Sequence, residues 1–164
     1  MGKRSNFERA EKDFYPTPKE AFLPLLPYLV EYGKNFIEPC CGDGRLVRYL
    51  EEAGYTCVQS SDDEVDARYS TYPKCDFFIT NPPWTRSTLH GIIENLSTQA
   101  WTWLLFDADW MHTKQSAGLI KRCSTILPIG RVKWIEGSKH TGKDNVCWYL
   151  FIPGYFQGPK FLGR

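Results

Sequence analysis

Four consecutive residues, Asn81-Pro82-Pro83-Trp84, carry the groups needed to work on an amino nitrogen. An amino group on an aromatic ring is planar, its lone pair is delocalised, and it is a poor nucleophile. Hydrogen-bond acceptors that draw its protons favour a tetrahedral nitrogen and release that pair. Asn81 supplies a side-chain oxygen and Pro82 a main-chain carbonyl. The consecutive prolines Pro82 and Pro83 hold the segment extended, so both acceptors are fixed before a substrate arrives. Trp84 offers a ring on which an extruded base can stack. Taken alone, Asn-Pro-Pro is also a loop stop after a buried strand.

A second group of residues lies upstream, in Glu38-Pro39-Cys40-Cys41-Gly42-Asp43-Gly44. Gly42 and Gly44 remove side chains where a ligand must approach backbone amides, and the helix that starts there turns its positive end toward the ligand. A short Gly-x-Gly turn also closes many strand–helix units for packing alone. Asp62, eighteen residues after Gly44, stands where a carboxylate can accept hydrogen bonds from both hydroxyls of a ribose, with Asp63 a near-equal choice. Glu38 would repel a pyrophosphate, yet it suits a cofactor whose amino-acid end carries an ammonium and a sulfonium. The charge therefore points away from a dinucleotide.

These residues resemble a known family. Glu38 to Gly44 is similar to the first cofactor motif of class I methyltransferases, and Asn81-Pro82-Pro83-Trp84 resembles the catalytic motif of their amino-methylating members, DNA adenine enzymes included. The resemblance implies S-adenosyl-L-methionine as cofactor and direct displacement without a covalent enzyme intermediate or a metal. Tyr15-Pro16-Thr17-Pro18 looks like the motif that precedes the cofactor loop in adenine enzymes, and places Tyr15 and Thr17 beside the methionine moiety; by itself Thr-Pro also reads as a helix start. The resemblance implies cofactor contacts from Tyr15, Thr17, Glu38, Pro39, Cys40, Gly42, Gly44, Asp62 and Asp63. In size and order of motifs the chain is most similar to small phage- or prophage-encoded DNA adenine methyltransferases. The same tetrad serves RNA adenine and protein glutamine enzymes, because it reads the amino group and not the molecule attached to it. A cofactor-fold module that binds nucleic acid or a host protein without catalysis is the alternative from another class. A cytosine-ring enzyme is disfavoured, since its nucleophilic cysteine would have to sit beside proline in the substrate loop, whereas Pro39-Cys40 is in the cofactor loop.

Further polar residues extend the candidate site. Asp107 and Asp109 are placed to bind substrate and Trp110 to line its pocket, although the aspartates serve equally well as helix caps. Lys139 and Lys143, in the loop 137–145, can grip phosphate or decorate a solvated hairpin tip. His90, His112 and His140 show no metal-ligand spacing, so no metal is expected.

The elements that must position these groups alternate between strands and helices. Residues 35–38, 55–59, 75–80 and 103–106 read as buried strands, and each candidate loop follows directly on one. A helix after Gly44 carries Leu46, Val47 and Leu50, and another carries Leu89, Ile92, Ile93 and Leu96. Pro18 opens a helix over 19–31 that Pro24 and Pro27 should bend or split. A helix is expected around 117–123, then strands 131–135 and 146–151 as an antiparallel hairpin. This order predicts an α/β, Rossmann-like class I methyltransferase fold with a mostly parallel sheet, its ligands bound beyond the strands' carboxyl ends. Only fourteen positions separate Asp62 from Asp76, too few for a normal helix and third strand, so the adenine pocket of the cofactor should be abbreviated, with Asp66 taking part of its role.

Composition sets the outer bounds. The 164 residues are 42% hydrophobic, which suits one catalytic domain over residues 1–164 with no separate target-recognition domain. No apolar run approaches the roughly 20 residues of a membrane span, and residues 1–12 are charged, so a cytoplasmic location is expected without a membrane. Six cysteines without Cys-x-x-Cys spacing fit a reducing compartment. The net charge of +1 conceals an asymmetry: from Met111 onward nine basic residues face two acids, whereas Glu38 to Trp110 holds twelve acids and five basic residues. The basic end favours nucleic acid as partner, DNA ahead of RNA, although a solvated basic face has the same composition.

Overall fold

A computed structural model describes residues 15–163. Its strands form where near-continuous apolar runs can be covered on both faces. β1 (Asn35–Glu38), β3 (Phe77–Thr80), β4 (Trp101–Asp107) and β6 (Asn145–Phe151) are buried along nearly their whole length. β2 (Thr56–Ser60) alternates between exposed and half-buried, as an edge strand does. With β5 (Cys123–Arg131) and β7 (Lys160–Phe161) these make one seven-stranded sheet in the order β2-β1-β3-β4-β6-β5-β7. Strands β2, β1, β3 and β4 pair in parallel; β6 runs antiparallel to both β4 and β5, and β7 is parallel to β5.

Alternate side chains feed two cores, one on each face of the sheet. Phe36, Phe77, Ile79, Trp103 and Leu105 meet Ala21 and Phe22 of α1 (Lys19–Phe22) and Leu46 and Leu50 of α2 (Arg45–Glu52). Ile37, Phe78, Leu104 and Phe106 meet Leu89, Ile92, Ile93 and Leu96 of α3 (Arg86–Leu96). The period-two alternation of each strand thus covers both faces with helices. The Trp148 indole donates to the Ala21 carbonyl at 2.8 Å, which locks α1 onto the sheet while satisfying a buried N–H.

Proline decides the first helix. The segment splits into α1 and a 3-10 stretch, Leu26–Glu31, because Pro24 and Pro27 remove backbone donors from a continuous helix. The short span after Asp62 holds no strand among the described residues. Instead α3 and the turn after it pin the span: the Asn95 amide donates to the carbonyls of Ala67 and Ser70, Gln99 donates to Ser70, and the Gln99 oxygen accepts from the Tyr72 amide at 3.0 Å. β2 is left as the edge of the sheet.

Two expectations need correction. Residues 117–123 are not an α-helix and only Ile120–Arg122 among them is helical; the crossover from β4 to β5 is built of 3-10 turns, Ala108–His112, Lys114–Ser116 and Ile120–Arg122. Thr113 and Ser116 hydroxyls bond locally to backbone groups of Trp110, Thr113 and Ser116, competing with helical hydrogen bonds. The strand placed at 131–135 lies earlier, over Cys123–Arg131, because Pro128 and Gly130 sit at a register shift inside the strand rather than ending it. Beyond Arg131 the backbone turns to other partners, with the Lys133 amide on Glu20 and the Gly142 amide on the Val132 carbonyl. The antiparallel hairpin itself is present as β5 and β6. No helix among the described residues is long and apolar enough to cross a membrane, and the charged start at 1–12 lies outside them.

Candidate active site

Glu38, Thr80 and Asp107 end the parallel strands β1, β3 and β4 on one side of the sheet, and the candidate loops leave from there. Glu38 is 1% exposed, and one carboxylate oxygen accepts the Cys40 amide at 3.1 Å. Burial pushes its pKa from 4.5 up to about 8, the Asp62 carboxylate adds to the rise, and the Cys40 amide and the neighbouring Thr80 hydroxyl oppose it. No cation among the described residues offsets this. The turn is tied to the end of β2, with the Ser61 amide on the Glu38 carbonyl at 3.0 Å and the Cys41 amide on the Ser61 carbonyl at 2.8 Å. This double tie brings Asp62, half-buried, into the field of Glu38, Cys40 and Cys41.

Gly42 and Gly44 take left-handed conformations, φ 52° and 75°, and Gly44 begins α2. Asp43 turns back on the helix, accepting the Arg45 amide at 3.1 Å and pairing with its guanidinium at 2.7 Å. Cys40 is half-buried, and its thiol is pushed far above the ordinary range by burial and by Glu38, so it stays protonated. Pro39 and Thr17 are buried; Asp63 and Asp66 are exposed. Asp66 is engaged by Arg68, at 2.8 Å.

The tetrad follows Thr80 directly. The Asn81 amide donates to the Tyr15 carbonyl at 3.0 Å, and its oxygen accepts the Trp84 indole N–H at 3.2 Å. The same indole N–H also reaches the Leu105 carbonyl of β4 at 3.2 Å. Pro82 is buried beside Asn81, Pro83 and Trp84 are half-buried, and the Trp84 ring packs against both cores. Tyr15 therefore reaches the tetrad through its backbone carbonyl. A third aromatic residue joins them: Trp134 meets Trp84 edge to face at 5.7 Å and Tyr15 at 6.4 Å. Sequence reasoning missed Trp134, a lone aromatic in a polar loop; its neighbour Gly142, without a side chain, is the signal that could have found it, since a Cβ there would come within 2.9 Å of the Trp134 ring. Lys139 and Lys143 are exposed on this same loop.

Arg86, two residues beyond Trp84, was also missed. It grips Asp107 with two parallel bonds of 2.8 and 2.9 Å. Asp107 is 8% exposed, caps the following turn through the Trp110 amide, and its carbonyl accepts the Tyr149 hydroxyl, so its polar groups are committed internally. Trp110, expected to line a substrate pocket, lies in the core instead. It is fully buried between Phe106, Tyr149 and Phe151, with its N–H on His90 Nε2 at 2.9 Å. Asp109 is exposed.

No protein-family model matches the sequence, and no curated protein matches it. Solved structures do match in shape. A protein from Listeria monocytogenes described as a class I S-adenosylmethionine-dependent methyltransferase aligns over 97% of this chain and 68% of its own, with a TM-score of 0.55 and 10% identity. The methyltransferase subunit of a type I restriction-modification system from Streptococcus thermophilus aligns over 85% of this chain and 45% of its own, with a TM-score of 0.53 and 10% identity. The M protein of the type I restriction enzyme EcoKI aligns over 88% and 46%, with a TM-score of 0.50 and 12% identity. The chain spans about two thirds of the first and less than half of the other two. At such identities the likeness is one of backbone architecture. With its seven-stranded, mostly parallel sheet and the antiparallel β5–β6 hairpin, this chain has the Rossmann-like α/β fold of class I methyltransferases.

Proposed function

We propose that this protein is an S-adenosylmethionine-dependent methyltransferase acting on an exocyclic amino nitrogen, adenine in DNA foremost. The observation that carries the reading is the adjacency of two sites on neighbouring strands. Glu38, buried and without a cation among the described residues, ends β1; Asn81, its amide already oriented, follows the end of β3.

The residues fit that cofactor. Glu38 and the Gly42–Gly44 turn would hold the amino-acid end, where a buried carboxyl gains a positive partner and glycines admit close approach. Asp62 is the carboxylate suited to the ribose hydroxyls. When bound, S-adenosylmethionine supplies a methyl group on a sulfonium leaving group for in-line displacement. The chain's own part is positioning. Asn81 donates to the Tyr15 carbonyl, which polarises its amide and strengthens its oxygen as an acceptor for an amino proton. Pro82 contributes the second acceptor. Neither oxygen is basic enough to keep a proton, so the one lost from the methylated nitrogen passes to water. Trp84 and Trp134 supply the aromatic wall for the base.

DNA is favoured over RNA or a protein glutamine by the basic stretch from Met111 onward and by exposed Lys139 and Lys143 on the loop that packs against the tetrad. The restriction-modification proteins of similar fold agree with that choice. Calorimetric titration with S-adenosylmethionine, followed by transfer of labelled methyl groups to DNA, RNA and protein, tests it. DNA labelling that falls at least about 100-fold in Asn81→Ala, with cofactor binding retained, is expected. Absence of cofactor binding by the wild type would refute the reading.

A further inference from the structure

An aromatic residue after Asn-Pro-Pro needs only a ring to stack a base, but here the ring's edge is engaged as well. The Trp84 N–H is shared between Asn81 Oδ1 and the Leu105 carbonyl, each at 3.2 Å. On its other side the Asn81 amide is held by Tyr15, at 3.0 Å. We propose that Trp84 is a positioning residue whose indole N–H, anchored on β4, sets the rotation of the Asn81 amide and so aims its oxygen at the substrate amino group. This deepens the methyltransferase reading and rests on it.

Few rotations are left to the Asn81 amide. An asparagine amide can flip about its terminal torsion at little cost, exchanging an acceptor for two donors. The Tyr15 carbonyl accepts only from the nitrogen and the Trp84 N–H gives only to the oxygen, so a flipped amide would lose both bonds and face acceptor with acceptor and donor with donor. The oxygen has two lone pairs, so Trp84 occupies one and leaves one for an amino proton. Sharing with Leu105 keeps the indole in place when the oxygen draws in a substrate, because the β4 carbonyl can take the N–H alone. Leu105 is 0% exposed, so that anchor belongs to the rigid sheet and not to a loop. Phenylalanine at this position would preserve the ring and lose the aim; tyrosine would carry its hydroxyl at a different reach.

Trp84→Phe separates the two roles. Steady-state assays of Trp84→Phe with a DNA duplex should show kcat lowered about 10-fold and KM within about twofold of wild type, whereas Trp84→Ala, which also loses the ring, should raise KM. Thermal melting of both variants checks that they are folded. An independent readout is the indole N–H cross-peak of Trp84 in protein labelled with 15N-tryptophan, assigned by its loss in Trp84→Phe. It should shift in Asn81→Ala and again when deoxyadenosine is added to wild type carrying S-adenosylhomocysteine. A folded Trp84→Phe with wild-type kcat, or a resonance indifferent to Asn81→Ala, would overturn the positioning role while leaving methyl transfer intact. A wild type that transfers no label would overturn the underlying reading instead, and the positioning role with it.

Discussion

At Glu38 the chain keeps a carboxyl where water cannot reach it, and its pKa of about 8 against an ordinary 4.5 makes the site sensitive to pH. Between those values the folded chain holds a proton that the unfolded chain has released. The stability Glu38 lends the unliganded protein is therefore full below about 4.5 and is lost as pH climbs toward about 8. Glu38→Gln should remove that slope, melting progressively higher than wild type as pH rises through the window. Cofactor binding runs the other way. An ammonium partner favours the carboxylate, so S-adenosylmethionine should bind more tightly as pH rises toward 8 and should expel about one proton at neutral pH. Calorimetry in two buffers of different ionisation enthalpy measures that release. Glu38, the glycine turn and the tetrad were all legible in the sequence because each follows an apolar strand with sharp turn chemistry. The hydrogen bonds around Asn81 were not, since they join residues 66 and 21 positions apart through Tyr15 and Leu105.

Among the elements, the ends of β3 and β4 are held in register by more than their ladder. Arg86 opens α3 directly after the tetrad and grips Asp107 at the end of β4, which also caps the Ala108–His112 turn. Truncating Asp107 to alanine removes a bidentate partner and a cap together. Because Arg86 keeps about a third of its side chain in solvent, the cost should be about 2 kcal/mol, below that of a fully buried pair. Urea unfolding would measure it, and Asp107→Asn, which retains a capping oxygen, should lose less. The sequence showed the strands and α3 through their periodicity, and the prolines announced the broken first helix. It did not show how 61–76 or the crossover at 108–122 would settle, because those segments are held by side chains bonding to backbone: Asn95 and Gln99 in one case, Thr113 and Ser116 in the other. Such bonds leave no period to read.

Over the whole molecule, acids gather between Glu38 and Trp110 and basic residues populate the later part of the chain. Gly142 seats against Trp134, so the loop bearing Lys139 and Lys143 is part of the wall next to the tetrad. Lys139→Glu with Lys143→Glu should weaken DNA binding, reduce the magnitude of its logarithmic salt dependence by about 2, and leave S-adenosylmethionine affinity unchanged. Fluorescence anisotropy across a salt series would show it. Loss of cofactor affinity in the same variant would mean the loop supports the fold of the pocket instead.

β2 lies at one border of the sheet, and its end is laced to the glycine turn by the Ser61 and Cys41 amides. Ser61 is 3% exposed and both amides are hydrogen-bonded, so they exchange with deuterium only when the turn opens away from the β2 border. Anything that stills the glycine turn must also slow that opening. The rate at which Cys41 and Ser61 take up deuterium thus becomes a built-in gauge of pocket occupancy, readable without an acceptor and without turnover.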